Sequence, residues 1–340
     1  MEECTIRLES MDLAGCIQFA QQLHIRENAT RYILDLNELR YVTPFGMLWC
    51  SSLLRRFRTS LPECEFMMIG QERHGYPAHM GFFRAFGADI GNAPGEAPGS
   101  ERYLPVTLLD LEELRAEART NLEVSQNTVE RKAHELAAVL VQDDTSELYR
   151  TLGFTMTEMC RNVIEHSQAR ELGYCAQFWP TKDRVEVAIV DDGIGVRKAL
   201  SSNPFLDLES DLHALHMALL PGVSGTAFRG KRRDPYDHWA NSGFGLFMTS
   251  SICRRGGGFF IASGSGALNL KGDQKGDEQV RFPGTALRLT FRPSELGRLQ
   301  AMLGELSKEG EKIARQVEGA VPTASGASRM VREQRVSRDE

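Results

Sequence analysis

Glu158, Asn162 and His166 are spaced four residues apart, so on a helix they fall on one face, each a turn from the next. Leu148, Leu152, Met159 and Val163 mark the opposite, apolar face. Such a polar stripe suits Mg2+ and a nucleotide phosphate: an amide oxygen ligates the hard cation, and a carboxylate one turn away accepts a proton from a nucleophile. Taken alone, a helix wetting one face has the same pattern. Further on, the apolar run 185–190 stops abruptly at Asp191-Asp192-Gly193-Ile194-Gly195. An acid at a strand end can accept from the exocyclic amine of a base, while Gly193 and Gly195 let backbone come close. A plain turn after a strand reads the same way.

Asn241-Ser242-Gly243-Phe244-Gly245-Leu246 then leads into a helix, where glycine N–H groups can cradle phosphates. It is not a Walker loop, because no Gly-Lys-Ser/Thr follows. Nor is it a dinucleotide fingerprint, because no apolar strand feeds directly into it. Gly284-Thr285 opens the last apolar strand with a hydroxyl able to reach a base directly or through water. Each motif alone has a plainer explanation, but the four in this order fit around one nucleotide.

The elements that must position them alternate strand and helix from the start. Strands are expected at 5–8, 32–36, 65–69 and 103–108, with helices over 12–23 and 43–58, which is an α/β pattern. The strands 32–36 and 65–69 are apolar enough to be buried. The stretch 91–99 reads as a loop inside a first domain of residues 1–110, and 111–127, rich in Glu and Arg, as a solvated helical linker. A second domain, 128–293, is expected to run helix 128–142, helix 146–167, strands 173–179 and 184–191, a long irregular segment, helix 245–254, and strands near Phe259 and over 286–291. A mostly antiparallel sheet follows from that order. Residues 294–318 read as one more helix, and 319–340 has the composition of a disordered tail.

Composition narrows the function. A chain of 340 residues with 41% hydrophobic and 25% charged residues can build two cores. Its net charge of −6 argues against a general nucleic-acid binder. The seven cysteines are scattered with no Cys-x-x-Cys pair, so neither a disulfide framework nor a zinc site is expected, and a cytoplasmic location is. No stretch looks long and apolar enough for a membrane span, and the first residues lack the pattern of a signal peptide.

The four motifs resemble the boxes of the GHKL ATPase superfamily, over roughly residues 128–293. The resemblance implies a Bergerat α/β sandwich and the cofactors ATP and Mg2+. It implies Glu158 as catalytic base, Asn162 as Mg2+ ligand and Asp191 as the adenine contact. It further implies a nucleotide surface including His166, Gly193, Gly195, Ser242, Gly243, Phe244, Gly245, Leu246 and Thr285. Asn241 stands where the third box usually has its first glycine. Residues 196–240 form the lid position and contain the cations Arg229, Lys231, Arg232 and Arg233, one of which could reach a γ-phosphate.

The first domain resembles the STAS fold through strand 32–36 and the turn Thr43-Pro44-Phe45-Gly46, with Pro44 and Phe45 where phosphorylated relatives carry serines. Together these resemblances imply an anti-sigma-type serine/threonine kinase-like module fused to a STAS-like domain. The alternative is an ATP-hydrolysing switch acting on a partner protein. A histidine kinase is disfavoured because His134 lies too close to Asn162 for a dimerisation hairpin, and on this pattern His134 reads as a surface residue. A scaffold that binds ATP without turnover is a further reading. The expected partners are ATP and a protein partner or substrate, with homodimerisation left open.

Overall fold

The computed structural model describes residues 2–24, 29–97, 102–120, 125–141, 143–231 and 242–325. The first unit runs β1 (Glu3–Arg7), α1 (Leu13–His24), β2 (Arg31–Asp35), α2 (Pro44–Thr59), β3 (Glu65–Ile69), α3 (Gly75–His79) and α4 (Phe82–Ala85). Its strands form a parallel sheet in the order β1-β2-β3. The internal position expected for 32–36 is that of β2. β3 is different: it is an edge strand, and Met67 and Ile69 are 42% and 40% exposed.

The second unit comprises β4 (Tyr103–Asp110), α5 (Leu111–Thr120), α6 (Ser125–Leu140), α7 (Glu147–His166), β5 (Glu171–Trp179), β6 (Arg184–Asp191), α8 (Val196–Leu200), α9 (Asp211–Ala218), α10 (Gly245–Gly256), β7 (Gly258–Lys271), β8 (Gln274–Phe291) and α11 (Leu299–Ala314). Its sheet has the order β4-β5-β6-β8-β7, with every neighbouring pair antiparallel. The protein is therefore α/β, with one parallel and one antiparallel sheet among the described residues.

What joins the units is the burial of α2. Every residue of α2 from Pro44 to Leu54 is buried, and a helix buried on all sides has cover on all sides. The three-stranded sheet covers one side and the five-stranded sheet the other. Along β6 the side chains alternate accordingly. Val185, Val187 and Ile189 join the core that includes Leu152 and Met159 of α7. Ala188 and Val190 join the core that includes Phe45 and Trp49 of α2. A strand buried on both faces accounts for the run of apolar residues, which only Glu186 interrupts.

Four expectations need correction. The strand at 103–108 belongs to the second unit: β4 is the edge of the five-stranded sheet, paired with β5. The boundary between units thus falls in the glycine-proline stretch 91–99 rather than at 111–127. Nor is α5 a solvated linker, since Leu111 and Leu114 are buried in the second core. The tail is ordered at its start: Ala320, Val321 and Ala324 are buried, and Val321 N donates to Gly222 O at 2.8 Å. Residues 326–340 lie outside the described part.

Finally, β7 and β8 extend far beyond the short strands expected near Phe259 and at 286–291, because Gly264 and Gly266 sit at register shifts that break the alternation. All seven cysteines are free. Among the described residues no helix is long and apolar enough to cross a membrane.

Candidate functional site

α7 begins at an N-cap in which Ser146 Oγ accepts from Tyr149 N, and it ends at Ser167. Its polar face is less exposed than a wet helix face would be: Glu158 is 7% exposed, and Asn162 and His166 are half-buried. Glu158 Oε1 accepts from Arg161 at 3.0 Å, and Arg161 also reaches Glu165 at 3.4 Å. Burial raises the Glu158 pKa, against the pull of Arg161. Burial also lowers the His166 pKa to about 4, helped by Arg161, so this imidazole is neutral at pH 7. The Asn162 side chain makes no hydrogen bond to protein among the described residues.

Strand alternation places Asp191 and Thr285 on the face of the sheet that α7 covers, because Ile189 and Leu287, two residues away, lie in the core with α7. The two are register partners across β6 and β8. Thr285 hydrogen-bonds the Asp191 carboxyl, and Gly193 N donates to Asp191 Oδ1 at 2.8 Å. Burial nevertheless dominates and raises the Asp191 pKa to about 6.

The loop after Asp191 is clipped to the end of α7. Ile194 N donates to Ser167 O at 2.7 Å, and a Cβ on Gly193 would sit 2.2 Å from that same oxygen, so only glycine fits. Gly195 turns away. With Gly193 it lines a cleft of about 500 Å3 bordered by Arg197, Lys198 and Asp211, which contains none of Glu158, Asn162 or Asp191.

The third motif meets the first directly. A Cβ on Gly245 would stand 2.1 Å from Glu158 Oε2, which sets the carboxylate against the first turn of α10. The N-cap there is Phe244, which offers no capping side chain, so the leading N–H groups of α10 have no side-chain acceptor at the cap. Phe244 is fully buried and Leu246 packs on the second core, so both hold the backbone rather than face a ligand. Gly243 O accepts from Gly222 N at 3.1 Å. Ser242 is 1% exposed and its hydroxyl accepts from Ser325 N at 3.1 Å, so the start of the tail occupies it.

The lid segment is more structured than expected. It contains α8 and α9, and Asn203 Nδ2 bonds Ser224 O at 2.9 Å inside it. Arg229 and Lys231 are exposed; Lys231 Nζ is held by Thr226 O at 2.6 Å. Arg232, Arg233 and Asn241 lie outside the described residues. His134 is not on the surface: it is 8% exposed, packs on Gly153 of α7, and burial lowers its pKa. The turn Thr43–Gly46 is also enclosed, with the Thr43 hydroxyl donating to Met11 O and accepting from Gly46 N.

Arg161 and the covering tail were not anticipated from sequence. Arg161 had a visible signal, three residues after Glu158 and four before Glu165; the tail had none. Among the described residues no group of three or more His, Cys, Asp or Glu is arranged to hold a metal. The chain matches no protein-family model and no curated protein.

Proposed function

We propose that this chain is a Mg-ATP-binding regulatory protein of the GHKL kind with a STAS-like first unit, acting as a kinase on a serine or threonine of another protein. The observation that carries the reading is the pairing of buried Asp191 with half-buried Thr285 at the end of β6, on the face covered by α7. Burial works against the charge of a carboxylate held there by Thr285 and Gly193, and an amine donor from a base would give it a further partner.

The other residues fit that ligand. Asn162 has an uncommitted amide for Mg2+, whose remaining positions would be filled by phosphates and water. The uncapped start of α10 offers N–H groups to an anion. His166, being neutral, contributes a hydrogen bond rather than a charge. Bound ATP would supply the transferable γ-phosphoryl group. Glu158, with its raised pKa, accepts the proton of the attacking hydroxyl. The acceptor belongs to another chain, since the Thr43 hydroxyl is already spent inside the enclosed turn. Cytosolic location and the absence of nucleic-acid and membrane partners belong to the same reading.

A second reading, an ATP-hydrolysing switch, is favoured by one feature. β6 carries Asp191 at its end and Glu186 against Phe45 of α2, so both units share one strand. ATP labelled on the γ-phosphate separates the two. Transfer of label to protein, lost in Glu158→Ala, supports the kinase. Label released as phosphate, again dependent on Glu158, supports the switch. No binding of ATP at all would overturn both.

A further inference from the structure

At the opposite end of the five-stranded sheet lies a cleft of about 770 Å3. Arg184 opens β6 there and Asp191 closes it, seven steps later, so the two ends are roughly 23 Å apart at about 3.3 Å per residue. The cleft shares no residue with the nucleotide site proposed above and does not depend on it.

Its lining is cationic. Lys182 comes from the β5–β6 connection, Arg184 from the start of β6, and Arg254 and Arg255 from the end of α10. Lys271 comes from β7, and Arg288 and Arg292 from β8 and the residue just beyond it. Only Asp183 and Glu295 oppose these seven cations from within the lining. Glu186 and Glu305 pair with cleft arginines from outside it. Seven cations against four carboxylates leave an excess of three positive charges, on a chain whose net charge is −6.

Part of this charge has a structural reason. Arg254 and Arg255 sit in the last turn of α10, where cations offset the helix dipole. Arg184 and Arg288 neutralise buried Glu186. Lys182 and Lys271 have no such role: both are exposed, and neither forms an ion pair among the described residues. Arg288 Nε is buried without a hydrogen-bond partner. Like charges converging from separate elements repel one another, and an anion between them removes that cost.

We propose that this cleft binds a small molecule bearing two or more phosphate groups. Its volume lies in the small-ligand range of about 300–1,000 Å3, and guanidinium groups match phosphate oxygens in pairs. Inorganic tripolyphosphate, titrated calorimetrically in EDTA, is the probe. Saturable binding is expected to weaken at least ten-fold in the double variant Lys182→Glu/Lys271→Glu and to a smaller degree in Lys182→Gln/Lys271→Gln. Neither should alter the thermal midpoint or any binding of adenosine, which tests the Asp191 end. Absence of saturable binding at millimolar tripolyphosphate would overturn the proposal. So would equal affinity in wild type and both double variants, or tighter binding of a poly-glutamate peptide than of tripolyphosphate.

Discussion

The backbone N–H of Phe45 donates to Glu186 Oε1 at 3.2 Å, joining the first turn of α2 to the middle of the five-stranded sheet. Glu186 is fully buried, and its other oxygen accepts from Arg184 at 2.7 Å and Arg288 at 2.9 Å. Burial pushes its pKa up, but Arg288, Arg184 and the Phe45 N–H together hold it below the ordinary glutamate value.

Glu186→Ala leaves two guanidinium groups and an N–H without their acceptor, and should cost about 3–5 kcal/mol. Denaturant unfolding checks this. Both units should melt in one transition, because they share a core. Since the folded-state pKa is depressed, the stabilisation is present above the unfolded value and is lost as pH falls through the folded one. Glu186→Gln should therefore flatten the acid limb of stability below about pH 4.5.

Asp191→Asn should separate function from stability. The carboxyl has its pKa raised to about 6, so its ionised form opposes folding: stability is greatest below the unfolded pKa and declines as pH rises through 6. The amide variant should be more stable at pH 7 by about 1–2 kcal/mol. It should bind adenosine roughly ten- to a hundred-fold more weakly, the loss for a hydrogen bond to a charged group. Adenosine is the better probe because it lacks phosphates that titrate near the same pH. A thermal melt and a calorimetric titration of one preparation test both halves.

His166 should have the opposite pH signature. Its pKa is lowered to about 4, so the unfolded chain binds more protons between that value and the ordinary 6.5, and stability rises with pH across this window. Asp191 acts against it between pH 4 and 6. Replacing His166 by Gln should make the net slope of stability against pH more negative in that range. Urea midpoints at half-unit pH intervals would show it, and an unchanged slope would reject the burial of a neutral imidazole.

Gly245→Ala should cost activity and spare stability. The new methyl meets the movable end of Glu158 rather than backbone, and alanine suits a helix better than glycine by about 1 kcal/mol. The thermal midpoint should shift little, while on the proposed function Glu158-dependent consumption of ATP should fall by ten-fold or more because the carboxylate is displaced. Loss of fold together with activity would show that Glu158 is held in place structurally rather than poised for chemistry.

The sequence by itself determined the local elements and the ingredients of the site. The four-residue spacing of Glu158, Asn162 and His166 required a common helix face, and the apolar run 185–190 required a strand ending at Asp191. The apolar residues of the helix over 43–58 called for cover without saying how many surfaces supply it or which. Tertiary structure decided that the second surface is the back of the five-stranded sheet, and that β4 joins that sheet. It also set Gly245 against Glu158, laid Val321 on Gly222 and drew Lys182, Lys271 and Arg288 into one cleft. The reason is physical: periodicity reports which side of an element must leave water. What lies against that side depends on shape and charge matched between residues far apart in the chain, which no local spacing records.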